Sequence, residues 1–407
     1  MNNNSFLGIL AVGLVASVSV AWTQTADPIA RDIASSAGLL CDGKVSCLTQ
    51  GEHPVFDYDG DGYRDILLAG HGGAPWALMH NDGNDTFTKA FEFLKTDRHG
   101  CVAADVGSPG GGLPDGRPDV YCVTGACEGK CTAAWPNHLF LQTPEHSFVE
   151  EGVAWGVADI HGRGRVPLAL DLNRDGLPDL AVVNQAPSLV GSPNRLFQNM
   201  GGRFVEVAGS PFNTETNSKC GKAADLDGDG WTDIAICSER TAGVRIMTFK
   251  NVNGELQDIT AHTAYKGLRV VEFDVADVNG DRRPDLLILE PTRFSVWLNV
   301  NGTHPKMNYS RTLKLGRDLA VGDVNLDGKP DIYIVQGTNR SYMDFMLVNN
   351  GTGVAFRSIR IPQVLVGDGD VATAIPNWGG TGRAAFLVSN GKWTVAGPYQ
   401  LIVFSAH

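Results

Sequence analysis

Short, continuous apolar runs recur along the chain, and each follows directly after an acidic segment. The clearest runs are residues 66–68, 180–183, 234–236, 286–288 and 332–334. Apolar runs of this length between turn residues are typical of strands buried on both faces, and they lack the 3.6-residue periodicity of amphipathic helices. Asn/Gly turns follow downstream at 81–83, 199–201, 299–302 and 349–351. Because Asn and Gly tolerate the positive φ of tight hairpins, these segments predict hairpins between short strands.

The acidic segments divide the chain into repeats. Intact copies start at residues 57, 171, 225, 277 and 323, and a stretched copy starts at 105, so that successive starts lie 46 to 66 residues apart. A seventh copy, whose acidic residues are missing, precedes the apolar run 384–388. Since each repeat predicts about four short strands, seven repeats predict an all-β fold, a seven-bladed β-propeller with calcium-binding loops in most blades.

The N-terminal region has a different pattern. Residues 1–21 carry no charged side chain, and an apolar run from Phe6 to Ala21 ends in small residues, which predicts a secretory signal peptide cleaved near Ala21. An uncleaved membrane anchor is the alternative, although this run is short for a bilayer span. Residues 22–49 are predicted to form an N-terminal segment with a short helix from Asp27 to Ala37, and residues 50–407 the propeller. We therefore expect a secreted, extracellular protein with no membrane span after cleavage.

Charge and cysteine content narrow the partners and the compartment. The chain has 33 Lys and Arg against 45 Asp and Glu, a formal net charge of −12, which disfavours a nucleic-acid partner. Its eight cysteines form no zinc-type CxxC pair and favour disulfides in an exported protein. Two pairs flank acidic segments and predict bridges between the strands that enter and leave them, namely Cys101–Cys122 and Cys220–Cys237. Local bridges Cys41–Cys47 and Cys127–Cys131 complete the predicted set.

The intact acidic segments share one arrangement of oxygen-bearing side chains. These side chains stand at positions 1, 3, 5 and 9, usually with Gly at position 6. We name the segments by blade: loop 1 is 57–65, loop 3 is 171–179, loop 4 is 225–233, loop 5 is 277–285 and loop 6 is 323–331. Alternate residues of a tight loop can converge on one cation, and the carbonyl of position 7 can add a ligand. The predicted ligand positions are Asp57, Asp59, Asp61, Tyr63 and Asp65; Asp171, Asn173, Asp175, Leu177 and Asp179; Asp225, Asp227, Asp229, Trp231 and Asp233; Asp277, Asn279, Asp281, Arg283 and Asp285; and Asp323, Asn325, Asp327, Lys329 and Asp331.

Oxygen ligands in such numbers select Ca²⁺ over Mg²⁺, and we expect about five calcium sites. Nitrogen and sulfur ligands are missing from the segments, which makes zinc and copper poor candidates. The pattern is not an EF-hand, since position 12 of loop 1 is Leu68 rather than Glu. An ordinary Asx turn could explain one such segment, but five matched copies argue against that explanation.

Two segments depart from the pattern. Loop 2, the stretched copy at 105–119, keeps Asp105, Asp115 and Asp119 around an insertion, and it could form a different site or none. In loop 5, Arg282 replaces the Gly at position 6 and must either strain or redirect the loop.

The repeated motif resembles the integrin-α-like FG-GAP/VCBS repeat propellers over about residues 50–407. Within that group, residues 162–171 and 193–199 are similar to the cartilage acidic protein (ASPIC-type) branch. The resemblance implies secreted, calcium-binding extracellular proteins. It also implies calcium loops on one face, with the opposite face and the connecting loops available to partners.

These observations favour a non-catalytic extracellular binding or adhesion module for a protein or glycan partner. No His lies in HExxH, no Ser lies in GxSxG, and every tight carboxylate cluster lies in an acidic loop. A calcium-dependent, polysaccharide lyase-like enzyme and a lectin are the alternatives. In a eukaryote the five sequons would be glycosylated, although Asn turns also neighbour Ser and Thr by chance. The sequon residues are Asn84, Asn301, Asn308, Asn339 and Asn350.

Overall fold

The computed structural model describes most of the propeller. The described residues are 28–39, 53–68, 76–94, 98–125, 136–186, 192–241, 244–260, 268–300, 302, 304, 306–337, 343–361, 371–390 and 399–405. Several predictions lie outside these residues: the signal peptide, the Cys41–Cys47 and Cys127–Cys131 bridges, and the sequons at Asn301 and Asn339. Within the described part, no helix combines the length and apolar character that a membrane span requires.

The described residues form seven antiparallel sheets of four strands each, which confirms the predicted seven-bladed propeller. Blades 1 to 3 contain β2 (Val55–Phe56), β3 (Asp65–Leu68), β4 (Ala77–Asn81) and β5 (Phe87–Glu92); β6 (Arg98–Ala104), β7 (Asp119–Thr124), β8 (His138–Gln142) and β9 (Phe148–Glu150); and β10 (Gly164–Leu170), β11 (Asp179–Asn184), β12 (Arg195–Asn199) and β13 (Phe204–Glu206). Blades 4 to 6 contain β14 (Gly221–Ala224), β15 (Asp233–Thr241), β16 (Val244–Val252) and β17 (Glu255–Asp258); β18 (Glu272–Ala276), β19 (Asp285–Glu290), β20 (Arg293–Trp297) and β21 (Tyr309–Thr312); and β22 (Gly316–Gly322), β23 (Asp331–Gln336), β24 (Phe345–Asn349) and β25 (Phe356–Arg360). Blade 7 contains β26 (Val371–Ile375), β27 (Ala385–Ser389), β28 (Tyr399–Ser405) and β1 (Ile29–Asp32).

The predicted helix from Asp27 to Ala37 is wrong. Residues Ile29–Asp32 instead form strand β1, which pairs antiparallel with β28 as the outer strand of blade 7. An isolated helix of this length is marginal, whereas the free edge of β28 offers a hydrogen-bonding partner to each residue. The N-terminal segment therefore belongs to the propeller and closes its ring.

The hydrophobic core lies between the blades. Seven clusters of buried side chains fill the seven interfaces between neighbouring blades. The second strand of a blade alternates between two of them: Ile66 and Leu68 of β3 pack against blade 7, and Leu67 packs against blade 2. This alternation explains why the second strands are continuous apolar runs, because both faces of each blade are buried.

Substitution in β1 tests the closure of the ring. Ala30 is buried between blades 6 and 7, and its neighbour Arg31 is exposed. We expect Ala30→Asp to lower the free energy of unfolding by more than about 2 kcal/mol, because it buries an unpaired carboxylate. Arg31→Asp is the matched control and should change stability by less than about 0.5 kcal/mol. Denaturant unfolding measures both, and equal effects would contradict the strand assignment.

Candidate metal loops

The acids at positions 1 and 5 organise the backbone of each intact loop. In loop 5 the Asp277 carboxylate accepts the N–H groups of Gly280 at 2.7 Å and Arg282 at 2.6 Å. Asp281 accepts the N–H of Arg283 at 2.9 Å. The bonds from position 6 to position 1 and from position 7 to position 5 recur in loops 1, 3, 4 and 6. These carboxylates therefore shape the loop from within.

The acid at position 9 is the buried member of each loop. In loop 5 the Oδ2 of Asp285 accepts the N–H of Val278 at 3.0 Å, and its Oδ1 accepts the N–H of Asn299 at 2.7 Å. The same two kinds of bond occur at Asp65, Asp119, Asp179, Asp233 and Asp331. Burial disfavours the charged form and raises the pKa to about 6 for Asp65, Asp179 and Asp285 and to about 7 for Asp119, Asp233 and Asp331.

The asparagine bonded to this acid also joins neighbouring blades. The Nδ2 of Asn299 donates to the carbonyl of Pro284 at 3.1 Å and to the carbonyl of Leu226, at position 2 of loop 4, at 2.7 Å. Its Oδ1 accepts the N–H of Gly302 at 2.9 Å. We call the bond to the preceding loop the interblade tie. Equivalent donors are Gln142, Asn199, Asn251 and Asn349.

Blade 7, whose loop has no acids, contacts position 2 of the preceding loop through a different side chain. The Nη1 of Arg383 donates to the carbonyl of Val324, at position 2 of loop 6, at 2.9 Å. The N–H of Ala384 donates to the carbonyl of Asp323 at 2.7 Å. A side-chain donor therefore reaches position 2 of the preceding loop at six of the seven interfaces among the described residues.

The structure brings the predicted carboxylate ligands together in two of the intact loops. In loops 1 and 4, carboxylate oxygens from positions 1, 3 and 5 lie within 4.8 Å of one another. In loops 3, 5 and 6, the Nδ2 of the Asn at position 3 lies 2.9 to 3.3 Å from the carboxylate at position 5. The residues at position 7 each donate their N–H to position 5, and their carbonyls as metal ligands stay a prediction.

Loop 2 keeps the hydrogen bonds from its backbone to its first acid in spite of its insertion. Asp105 accepts the N–H groups of Asp115 at 3.1 Å and Gly116 at 2.6 Å, and the Asp115 carboxylate contacts the guanidinium of Arg117. Asp119 makes the same buried bonds as the other acids at position 9. The acids of this loop thus have structural partners, and a metal at this place remains only a prediction.

Two residues near the loops were missed by the sequence analysis. The His80 ring lies 3.2 Å from the carboxylate of Asp65 and 3.5 Å from that of Asp59 in loop 1. The Nζ of Lys250 contacts Asp227 and lies 3.0 Å from Asp229 in loop 4. Each of the two residues directly precedes the asparagine whose N–H bonds the buried acid. This shared position in the repeat is the sequence signal that could have identified them. Segment 57–65 itself contains no nitrogen ligand, but folding brings the His80 ring beside it.

Arg282 strains loop 5 rather than redirecting it. Its φ is +68°, in the left-handed region that Gly adopts at the same position of the other intact loops. Its N–H still donates to Asp277. The bond to the carboxylate therefore holds a non-glycine residue in an unfavourable backbone conformation.

The described cysteines form both predicted bridges. Cys101 lies opposite Cys122 on β6 and β7, and the two are bonded. Cys220 and Cys237 are bonded at the entry to blade 4. The described sequon residues Asn84, Asn308 and Asn350 lie at exposed or half-buried positions, and their glycosylation stays a prediction.

Substitution at position 6 tests the strain. Arg282→Gly should raise the free energy of unfolding by about 0.5–1 kcal/mol, because the relief of backbone strain exceeds the added entropy of the unfolded chain. Gly328→Ala in loop 6 is the reverse change at φ +74°, where a Cβ meets no other atom, and should cost about 0.5–1 kcal/mol. Denaturant unfolding of both variants gives the comparison. A destabilised Arg282→Gly would show that the arginine side chain stabilises the loop.

Substitution at Asn299 tests the interblade tie. Asn299→Ala leaves the Leu226 carbonyl and the Gly302 N–H without their side-chain partner, and we expect a loss of about 2–3 kcal/mol. Val300→Ala, at the half-exposed next position, should change stability by less than about 0.5 kcal/mol. Thermal and denaturant unfolding of the two variants measures the difference. A loss no larger for Asn299→Ala than for its control would contradict the role of the tie.

Comparisons with known proteins agree with this repeat architecture. A family profile described as FG-GAP-like repeat matches residues 171–236, 225–288 and 277–334. Cartilage acidic protein 1 of Mus musculus is 34% identical over 98 residues, which cover 23% of this chain and 14% of the mouse protein. The Homo sapiens protein is 31% identical over 103 residues, which cover 24% of this chain and 15% of the human protein. The matched segment thus spans about one seventh of the length of these relatives.

Two solved structures share the fold. BBS1N, in a crystal structure with ARL6DN, has a TM-score of 0.56 and 10% identity, over 89% of this chain and 94% of the other. An Agrocybe aegerita lectin that recognises non-reducing terminal N-acetylglucosamine has a TM-score of 0.50 and 18% identity, over 84% of this chain and 86% of the lectin. Identities this low carry the fold alone. The chain is therefore a seven-bladed β-propeller whose residues 171–334 match FG-GAP-like repeats, with partial similarity to cartilage acidic protein 1.

Proposed function

We propose that the protein is a secreted, calcium-dependent binding module that recognises an extracellular protein or glycan without catalysing a reaction. The observation that carries the proposal is the recurrence of a preformed set of oxygen side chains at positions 1, 3, 5 and 9 in the intact loops. Loops 3 and 5 provide the strongest support, because no ion pair to their carboxylates occurs among the described residues. The two described disulfides support an oxidising, extracellular compartment.

The donor set fits Ca²⁺ in number and chemistry. Loop 3 offers Asp171, Asn173, Asp175 and Asp179, with one backbone carbonyl expected from Leu177. Ca²⁺ accepts six to eight oxygen ligands in irregular geometry, whereas Mg²⁺ demands a strict octahedron. A bound cation would add two positive charges where closely spaced anions repel one another. In this role calcium would order the loop and the surface beside it.

Calcium removal tests the proposal by stability. With free Ca²⁺ tenfold above the dissociation constant, each occupied loop should stabilise the fold by about 1.4 kcal/mol. We therefore expect a chelator to lower the melting temperature in scanning calorimetry. Asp281→Ala removes one ligand of loop 5 and should abolish the share of the calcium-dependent shift that loop 5 contributes. A melting temperature that is equal in chelator and in calcium would contradict the calcium role.

A lectin is the second candidate. Its support is the fold shared with the N-acetylglucosamine-recognising lectin, over 84% of this chain. An exposed row of tryptophans would strengthen this candidate, but Trp76, Trp155, Trp297 and Trp378 are buried. A glycan array probed with and without calcium tests this candidate, since binding to defined sugars would assign a glycan partner and no binding would favour a protein partner.

A further inference from the structure

The residue before the tie asparagine differs in chemistry from blade to blade. In blades 1 and 4 it is basic, and its side chain lies among the carboxylates of its own loop: His80 in loop 1 and Lys250 in loop 4. In blades 3, 5 and 6 the same place holds an uncharged residue. These residues are Gln198, Leu298 and Val348. The five intact loops thus share the acids at positions 1, 5 and 9 and differ in the residue before the tie asparagine. In loop 6 the Nζ of Lys329 lies 3.6 Å from the single carboxylate of Asp327.

We propose that this position selects the cation of each loop: His80 supplies a nitrogen ligand that makes loop 1 a Zn²⁺ site, and the ammonium group of Lys250 occupies loop 4 and keeps Ca²⁺ out. The proposal deepens the proposed function, since it rests on loops 3, 5 and 6 as calcium sites. It changes the expected calcium stoichiometry from five sites to three.

The geometry of His80 fits a ligand of a shared ion. Its Nδ1 lies 3.2 Å from the Asp65 carboxylate and 3.5 Å from that of Asp59, and its Nε2 lies 3.9 Å from Asp61 and from Asp82. Ligand atoms of Asp59, Asp65 and His80 lie within 4.8 Å of one another. Distances of this size leave room for one ion between the ring and the oxygens. Imidazole nitrogen suits Zn²⁺, whereas Ca²⁺ prefers oxygen alone.

The ammonium group of Lys250 lies against the carboxylates that a bound cation would contact. Its Nζ contacts Asp227 at position 3 and lies 3.0 Å from Asp229 at position 5, which are two of the predicted calcium ligands. For Ca²⁺ to bind, the ammonium group must leave and break both contacts. The ammonium group therefore offsets one negative charge of loop 4 and occupies two of its carboxylates without a metal.

Terbium luminescence tests loop 4 on its own. Tb³⁺ is a calcium-sized probe that emits when an excited aromatic side chain lies next to it, and position 7 of loop 4 is Trp231. Position 7 of loops 3, 5 and 6 holds Leu177, Arg283 and Lys329, which cannot act in this way. We expect little tryptophan-excited emission from the wild-type protein. Lys250→Met, which keeps the length of the side chain and removes its charge, should raise this emission several-fold.

Two controls make this result specific. Trp231→Leu in the Lys250→Met background should remove the gained emission, which assigns it to loop 4. Lys250→Gln provides a second uncharged variant, and circular dichroism in calcium verifies that each variant is folded. Wild-type emission as strong as that of folded Lys250→Met, and lost in Trp231→Leu, would overturn the role of Lys250.

Zinc titration tests loop 1. Calorimetry with Zn²⁺ should give one tight site in the wild-type protein, and His80→Gln should weaken it by about tenfold or more while calcium uptake by loops 3, 5 and 6 is unchanged. His161→Gln removes an exposed histidine that lies outside blade 1 and should leave the affinity for zinc as in wild type. Equal zinc affinity in wild type and His80→Gln would overturn the role of His80.

The outcomes separate this proposal from the proposed function. If the wild-type protein takes up no calcium, the proposed function fails. The zinc and terbium comparisons then still test the roles of His80 in loop 1 and Lys250 in loop 4. If it takes up about five calcium ions, calcium binding stands and the selection by His80 and Lys250 fails. Uptake of about three supports both.

Discussion

The bond between a buried carboxylate and three backbone segments is the interaction on which this propeller depends. In loop 5, Asp285 fixes the start of its own loop through Val278 and the end of the third strand through Asn299, and Asn299 reaches the preceding blade at Leu226. The acid is thus a structural centre as well as a candidate ligand. Because its environment raises its pKa, its backbone hydrogen bonds and any bound cation both act to stabilise the charged form.

Repetition of this unit does not make the loops equivalent. The acids at positions 1 and 5 close the backbone in the same way in every intact loop, but the charge near them differs. Lys250 brings a positive charge to loop 4, and His80 brings a nitrogen to loop 1. A blade that lost its acids still keeps the contact to its neighbour through Arg383. The contact between blades 6 and 7 therefore persists where the acids of the loop are absent.

Local patterns sufficed to predict the blades, the two described disulfides and the loops, because each depends on residues close in sequence or on a regular repeat. The N-terminal strand could not be predicted in this way, since its partner β28 lies at the other end of the chain. Asn299 was interpreted only as a hairpin turn, because its bond to Leu226 spans two repeats. His80 was missed for a similar reason: it follows Asp65 by fifteen residues, and only the packing of β4 on β3 brings them together.

The unfolding free energy of Asp285→Asn in the presence of a chelator tests most directly whether the buried acid holds the blade without a cation. The two oxygens of Asp285 accept hydrogen bonds from two different N–H groups, those of Val278 and Asn299. An amide has one oxygen and can accept from only one of the two. The account predicts a loss of about 2 kcal/mol or more even without metal, from one N–H left unpaired in a buried site. Unchanged or increased stability of Asp285→Asn in chelator would contradict the account, because the acid would then serve the cation alone.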